Sequence, residues 1–410
     1  MRGVVPAWNK VHSDFANYYV SAKLIIDKAP LENIYDNQWF QNKIKNYEIE
    51  TLGKFSPFPP LTALIMLPLT PFEPLTAQRV FTVINLIFIG IGVVVLKKLT
   101  TWSAPQCALF ILGCGLGLIN NVAFGQVYLI MTVSIMISFL LFRNNQFFLA
   151  GIILGFFTAL KYFPIVVIAG FLLNGLTAEY QKEKPFKQIL TSPDLKVAMY
   201  SIISFIVLLM MQYAFFGRAV MHEFFVSSFV PHLDGRLSGQ DPYSFYYQSW
   251  NDLFMRVFVN HEQFNPNPIV DWPRGSTTMK VVIGLVVLFM VSKVLYKFKA
   301  APAAIRRSVY ISLPALAVFV LLPVSATYHC ALLISSLVLL MKDSLLNKKD
   351  KILIIIVYGG MGLIPYSLVF RLSETMGFWF AYPRLWLISI LFILVFIAII
   401  NIKEYKTELK

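Results

Sequence analysis

Long apolar runs bounded by charge dominate the chain. Runs near the roughly 20 residues that a helix needs to cross a bilayer core occupy 74–96, 105–120, 126–142, 196–217, 277–296, 352–370 and 384–401. Two further stretches, 148–174 and 308–341, are too long for one straight crossing. Each carries a polar break with a proline: Lys161 and Pro164 in the first, Pro323 through His329 in the second. Each is read as two short helices. The stretch 55–73, in which Phe-Ser-Pro-Phe-Pro-Pro precedes an apolar dozen, is too short and too proline-rich to span, and is expected to lie at the interface or re-enter. No internal repeat of fixed period and no low-complexity segment interrupts the pattern.

Composition agrees with a membrane protein. The chain is 57% hydrophobic and 14% charged, whereas soluble domains run nearer ~45–50% and ~25%. A net charge of +14 would normally raise nucleic acid as a partner, but the basic residues are separated by apolar runs and form no patch. Cys107, Cys114 and Cys330 lie in or beside apolar segments and supply neither a disulfide framework nor a CxxC metal pair.

The charge instead reports orientation, because Lys and Arg are retained on the cytoplasmic side of short loops. With both long stretches crossing twice, one face receives 97–103, 143–147, 175–196, 292–308, 342–351 and 402–410, which hold 19 Lys/Arg against 7 Asp/Glu. The other receives 1–57, 218–276 and 371–383, which with Arg384 hold 13 of each sign. A single crossing at 148–174 would export Lys182, Lys184, Lys187 and Lys196 and scramble every later loop. The expectation is an all-α polytopic membrane protein of about eleven crossings. Its parts are a first extracytoplasmic segment at 1–57, transmembrane helices over 58–217, a large extracytoplasmic loop at 218–276, further transmembrane helices over 277–401, and a cytoplasmic tail at 402–410. No apolar run of helix or signal-peptide length precedes residue 58. Either the first segment is translocated with the first helix, or, the preferred reading, Met1 lies inside a longer reading frame.

Several polar residues interrupt this frame. The run from His12 to Tyr19, continued by Ala22, Ile25 and Ile26, fits a short amphipathic helix lying on the membrane. Asp14 at its start is either a helix cap or first-turn carboxylate, or a general base at the water–lipid boundary. Lys161 either snorkels to the interface or serves as a point charge for phosphate. Asn120, Asn121, Gly125 and Gln126 read as an outer turn, with Gln126 able to bond a polar ligand. His329, beside Tyr328, is either a buried histidine satisfied by backbone or a group that binds phosphate or polarises a hydroxyl. The 218–276 loop carries His222, His232, Arg236, Asp241, Gln248, Asp252 and Arg256 among many aromatics, which anchor at the interface or stack on sugar rings. No nucleophile elbow, P-loop, HExxH or GxGxxG occurs in a usable context.

In order along the chain, Asp14-Phe-Ala-Asn-Tyr-Tyr with Ile34-Tyr35-Asp36, Phe58-Pro59-Pro60-Leu61, Gly125-Gln126, Ala150-Gly151, Ala159-Leu160-Lys161 with Pro164, Gln248-Ser249, and Ser325 to His329 resemble glycosyltransferase family 87. That family is of GT-C type and includes polyprenyl-phosphate-mannose-dependent mannosyltransferases. The resemblance implies a GT-C-like bundle whose extracytoplasmic loops bear short amphipathic helices. It also implies an inverting transferase that moves a hexose, mannose foremost, from a polyprenyl phosphate to a lipid or envelope glycan acceptor on the outer face of the inner membrane. By the same resemblance Asp14 is the base, and Lys161 and His329 meet the donor phosphate; Tyr18, Gln126, Gln248 and Arg256 are the candidate substrate contacts. Two departures bear on sugar stacking and phosphate contact. Tyr247-Gln248-Ser249 stands where the family commonly has Asn-Gln-Ser, and Ser325-Ala326-Thr327-Tyr328-His329 where it has Ser-Trp-x-His-His.

The expected partners are membrane lipids, the polyprenyl-phosphate sugar and the acceptor, with no nucleic acid and no cofactor. No metal-ligand cluster is visible, although Asp14 and Asp36 leave room for a loose divalent site. The rival reading is a transporter or lipid flippase, which also uses intramembrane cations and broken helices, and a third is a non-catalytic envelope scaffold.

Overall fold

The computed structural model describes residues 2–180, 191–236, 241, 243–341 and 345–402. Lys182, Lys184, Lys187, Lys342 and the tail from residue 403, which carry part of the charge argument, lie outside the described residues. Among those described, the chain is helical with no strand, apart from one isolated bridge between His261 and Asn265.

Five helices are long and apolar enough to cross a membrane: Pro74–Leu99, Pro193–Leu233, Pro273–Lys297, Ala303–Leu321 and Pro383–Ile400. Four of them open on proline, whose missing N–H is harmless in a first turn. The number rises to seven if each of two sharply bent helix pairs is one span, and four shorter apolar helices lie among them: Tyr128–Arg143, Phe147–Lys161, Pro164–Thr177 and Thr327–Met341. Pro193–Leu233 and Pro273–Lys297 bury only 22% and 17% of their most apolar windows, so these two present the broadest faces to lipid.

Both long stretches divide where their prolines stand. The first breaks after Lys161, where Tyr162 takes φ of 26° and Pro164 opens the next helix. The second ends its helix at Leu321 and resumes as a tight turn, Thr327–Ala331, running into Leu332–Met341.

Elsewhere the structure departs from the pattern. The runs 105–120 and 352–370 are bent pairs: Ala104–Leu112 meets Leu116–Phe124 at 74°, and Lys348–Gly362 meets Tyr366–Thr375 at 84°. Pro365 explains the second, since a residue before proline is pushed out of the helical region. Gly115 explains the first, with φ of 53° and backbone so close to Gly362 that a side chain would fall 2.1 Å from its carbonyl oxygen. The two breaks therefore meet back to back. Asn120 and Asn121 lie inside Leu116–Phe124 and not in a turn. The large loop begins later than 218, because helix continues past a kink at Gly217 to Leu233 and carries His222 and His232 with it. The helix Ser13–Ile26 packs into protein on most of its surface. Nine of its residues, from Phe15 to Leu24, are buried, and the apolar ones among them form a second core with Tyr35, Phe40, Phe55, Phe58, Leu61, Phe81, Leu160 and Phe224. The 55–73 stretch folds into this core as two short helical turns, Thr62–Ile65 and Leu67–Leu69.

Candidate active site

The chain ahead of Asp14 is pinned before its helix begins. Gln78, fully buried on Pro74–Leu99, accepts the His12 N–H at 2.8 Å and donates to the Ala7 and Lys10 carbonyls at 2.7 and 2.6 Å. His12 is the N-cap and no side chain caps the helix, so Asp14 is not spent as a cap. It occupies the first turn, where the positive end of the helix dipole favours a carboxylate. One turn on, the Tyr18 hydroxyl donates to Gln126 Oε1 at 2.8 Å. Gln126 reaches this place through Gly125, which closes Leu116–Phe124 with φ of 68°; a Cβ there would stand 2.7 Å from that of Phe15. The Gln126 amide nitrogen is buried, close enough to the Asp14 carboxylate to act on it electrostatically, and has no hydrogen-bond partner of its own.

Lys161 ends Phe147–Lys161 and projects among aromatic faces. Its Nζ stands 3.8 Å from the Phe58 ring centre, 5.1 Å from Tyr128 and 5.4 Å from Tyr18. Such a cage is worth about 2 kcal/mol once desolvated, and it holds the charge without supplying an oxygen acceptor. Lys54 joins from the loop, its backbone N–H fixed by Asn17 Oδ1 at 2.8 Å. Burial pushes the Asp14 carboxyl above the usual carboxylate range, while the Gln126 amide and the Lys161 and Lys54 ammonium groups pull it back. Burial also lowers Lys54 to about 8, against an upward pull from Asp14.

The Thr327–Ala331 turn closes the cluster. His329 Nδ1 accepts the Ala326 N–H at 3.2 Å, so the ring proton sits on Nε2, 3.1 Å from the Tyr128 hydroxyl. His329 is thereby a neutral donor and not a second cation. Tyr328 stacks on Tyr128 at 5.4 Å. The Asn121 amide secures the turn, donating to the Tyr328 carbonyl at 2.9 Å. Asp14, Tyr18, Gln126 and Lys161 are thus brought together, with His329 linked to them through Tyr128.

Gln248 and Arg256 are engaged elsewhere. Gln248 donates to the Ala381 carbonyl at 3.1 Å and accepts the Arg384 N–H at 2.8 Å. Arg256 donates to the Tyr243 carbonyl and stacks 3.9 Å over Phe245. Near it Asp252, buried in the first turn of Trp250–Phe258, accepts the Tyr382 hydroxyl at 2.6 Å. Burial lifts the Asp252 carboxyl well above its ordinary range, against smaller downward pulls from Tyr382 and Arg256. Asp36 is occupied as the cap of Asn37–Asn46, accepting the Trp39 N–H at 2.7 Å, and no group of three or more His, Cys, Asp or Glu able to hold a metal occurs among the described residues.

The sequence model of glycosyltransferase family 87 matches residues 57–346. The chain belongs to this family. No curated protein matches it. Family 87 membership makes the protein a membrane glycosyltransferase, and the transporter and scaffold readings give way. Gln126, Lys161, Gln248, Arg256 and His329 lie within the family 87 match, whereas Asp14 and Tyr18 lie ahead of it and stand on geometry.

Three members of the site escaped the sequence reading. Tyr128 had a signal, standing two residues after Gln126 at the head of an apolar helix. Lys54 had none, because its loop carries charges at ordinary spacing. Phe58 was visible in the Phe-Pro-Pro motif, though not as a wall of the lysine cage.

Proposed function

We propose that the protein is an inverting hexosyltransferase, with mannose the first sugar to test, using a polyprenyl-phosphate donor and a lipid or envelope glycan acceptor at the extracytoplasmic face of the inner membrane. The observation that carries this reading is a half-buried carboxylate, Asp14, held beside Gln126 and within the field of Lys161 and Lys54. On this reading the short apolar helices and bent pairs each count as one crossing, which gives the expected eleven and puts this cluster on the outer side.

Asp14 takes the proton of the acceptor hydroxyl as that oxygen bonds to the anomeric carbon from the face opposite the phosphate. The bond between the anomeric carbon and the phosphate oxygen breaks, its electron pair leaves with the polyprenyl phosphate, and the proton remains on Asp14. The Lys161 ammonium meets the growing charge on the leaving oxygen, the kind of electrostatic term that is usually the largest in catalysis. Gln126, bonded to Tyr18, orients the carboxylate. His329 donates its Nε2 proton to Tyr128 and fixes the wall against which the donor lies. Beside the cluster, Lys54, Ser56, Ser227, Ser228, His232 and Arg236 line a hollow of hydroxyls and cations suited to sugar hydroxyls and an anionic head.

The test is incubation of membranes containing the protein with labelled polyprenyl-phosphate mannose and, separately, glucose. Label should move from the donor to a lipid or glycan, with inversion at the anomeric carbon. Retention of configuration, or transfer only from nucleotide sugars, would overturn the proposal.

A further inference from the structure

The turn at 325–330 has a second side. Away from the residues of the Asp14 cluster, none of which lines it, Ser325, Ala326, Thr327 and Cys330 border a narrow cavity with Gln248, Phe319, Met361 and Arg384. Arg384 is only 6% exposed, yet none of its three guanidinium nitrogens has a hydrogen-bond partner. Its ring support is Tyr366, 4.7 Å away, and among the described residues no carboxylate pairs with it. Its position sharpens the mismatch. Arg384 is the second residue of Pro383–Ile400, at the positive end of a helix dipole, which disfavours a cation and favours an anion.

The surroundings are built to hold that side chain still. Gln248 clamps the start of the helix through the Arg384 N–H and the Ala381 carbonyl. Tyr366 bonds Thr327 at 2.9 Å, and Thr327 in turn accepts from Asn120 at 2.5 Å, so the cavity wall is tied into both bent pairs. A guanidinium presents a rigid fork of donors that matches two phosphate oxygens at once, and a buried charge of this kind is strongly disfavoured until it is paired. We infer that Arg384 receives the phosphate group of a lipid substrate, away from Lys161. The anion site rests on geometry alone, and its assignment to a lipid rests on the transferase reading. Two lipids carry this chemistry: the polyprenyl phosphate of the donor, and an anionic phospholipid serving as acceptor.

The experiment uses the full-length protein in neutral detergent and follows its melting temperature during titration with a short-chain prenyl phosphate, with phosphatidylinositol, or with the uncharged prenol. One phosphate lipid should stabilise the wild type saturably and the prenol should not; which of the two does so names the source. In R384Q the half-saturating concentration should rise about tenfold or more, with R384K between. Without lipid, R384Q should melt at or above the wild-type temperature, because an unpaired buried charge has been removed. If R384Q does not accumulate, R384K, which keeps the charge and loses the fork, carries the comparison. Unchanged half-saturation in these variants for both phosphate lipids would overturn the site and leave the transferase intact. Loss of binding in R384Q, with no sugar transfer by the wild type from any prenyl phosphate, would leave the anion site standing and remove the prenyl-phosphate donor reading instead.

Discussion

Asp14 and Asp252 begin alike and end in different states. Each lies in the first turn of a helix, Asp252 buried and Asp14 half-buried, and burial raises each above the ordinary carboxylate range. Asp252 meets a hydroxyl, Tyr382, and an arginine already committed to the Tyr243 carbonyl and the Phe245 ring. Burial dominates there over the smaller pulls of Tyr382 and Arg256, and the carboxyl ties its helix to the head of Pro383–Ile400 through the Tyr382 hydroxyl. Asp14 meets an amide and two lysines, none of which fills its coordination. The difference lies in the neighbours. A carboxylate set beside an amide and two ammonium groups is placed to take a proton, and one set beside a phenol and a committed arginine lacks that field.

The sharpest way to break this comparison is the same change at both positions. D14N should lower turnover by about 10²–10⁴-fold with folding intact, whereas D252N should leave turnover within about twofold; equal losses in a sugar-transfer assay would erase the distinction. Next, K161M removes the charge facing the leaving group and should cost about 10²–10³ in kcat, more than it changes donor KM. A change confined to KM would make Lys161 a binding residue only. The pH profile gives a smaller effect. Asp14 works deprotonated and its pKa is raised, so activity should fall as pH drops through a midpoint above 3.8, the ordinary aspartate value. Lys54 loses its proton at about 8, so donor KM should climb above that pH while kcat holds. In K54M the high KM should appear at every pH and the acid limb should move upward, because one of the charges that hold Asp14 ionised is gone. Smallest of all, D252A, which strands the Tyr382 hydroxyl, should destabilise the fold by about 1–3 kcal/mol, read as a lower melting temperature with turnover of the folded fraction preserved.

Much of the site was legible because it interrupts a monotonous background. Lys161, Gln126 and His329 each stand at a break in an apolar run, where a polar residue has no routine explanation, and all three came together with Asp14. The breaks at 113–115 and 363–365 were hidden because they interrupt runs whose hydropathy continues unchanged. Pro365 marks the second in the sequence, but only the approach of Gly115 to Gly362 makes the first necessary, and that contact joins distant parts of the chain. The burial of Ser13–Ile26 was hidden for a related reason. A helix with one aromatic face suits a membrane surface as well as a protein core, and the deciding partners, Phe55, Phe58 and Phe224, lie far along the sequence. Arg384 looked like an ordinary boundary charge. Position told that it heads a span, whereas only three dimensions tell that its nitrogens point inward.

The bond between Tyr18 and Gln126 spans 108 positions, and the Thr327–Ala331 turn arrives far later still. Synthesis delivers the chain N-terminus first, so Asp14 has left the ribosome long before Lys161, and Lys161 long before His329. A nascent chain halted anywhere before that turn holds a carboxylate and a lysine with no wall to seat the donor. On the proposed mechanism catalytic competence is therefore a late event in biogenesis, and a half-inserted molecule would leave lipid-linked sugar untouched while it waits for the rest of itself.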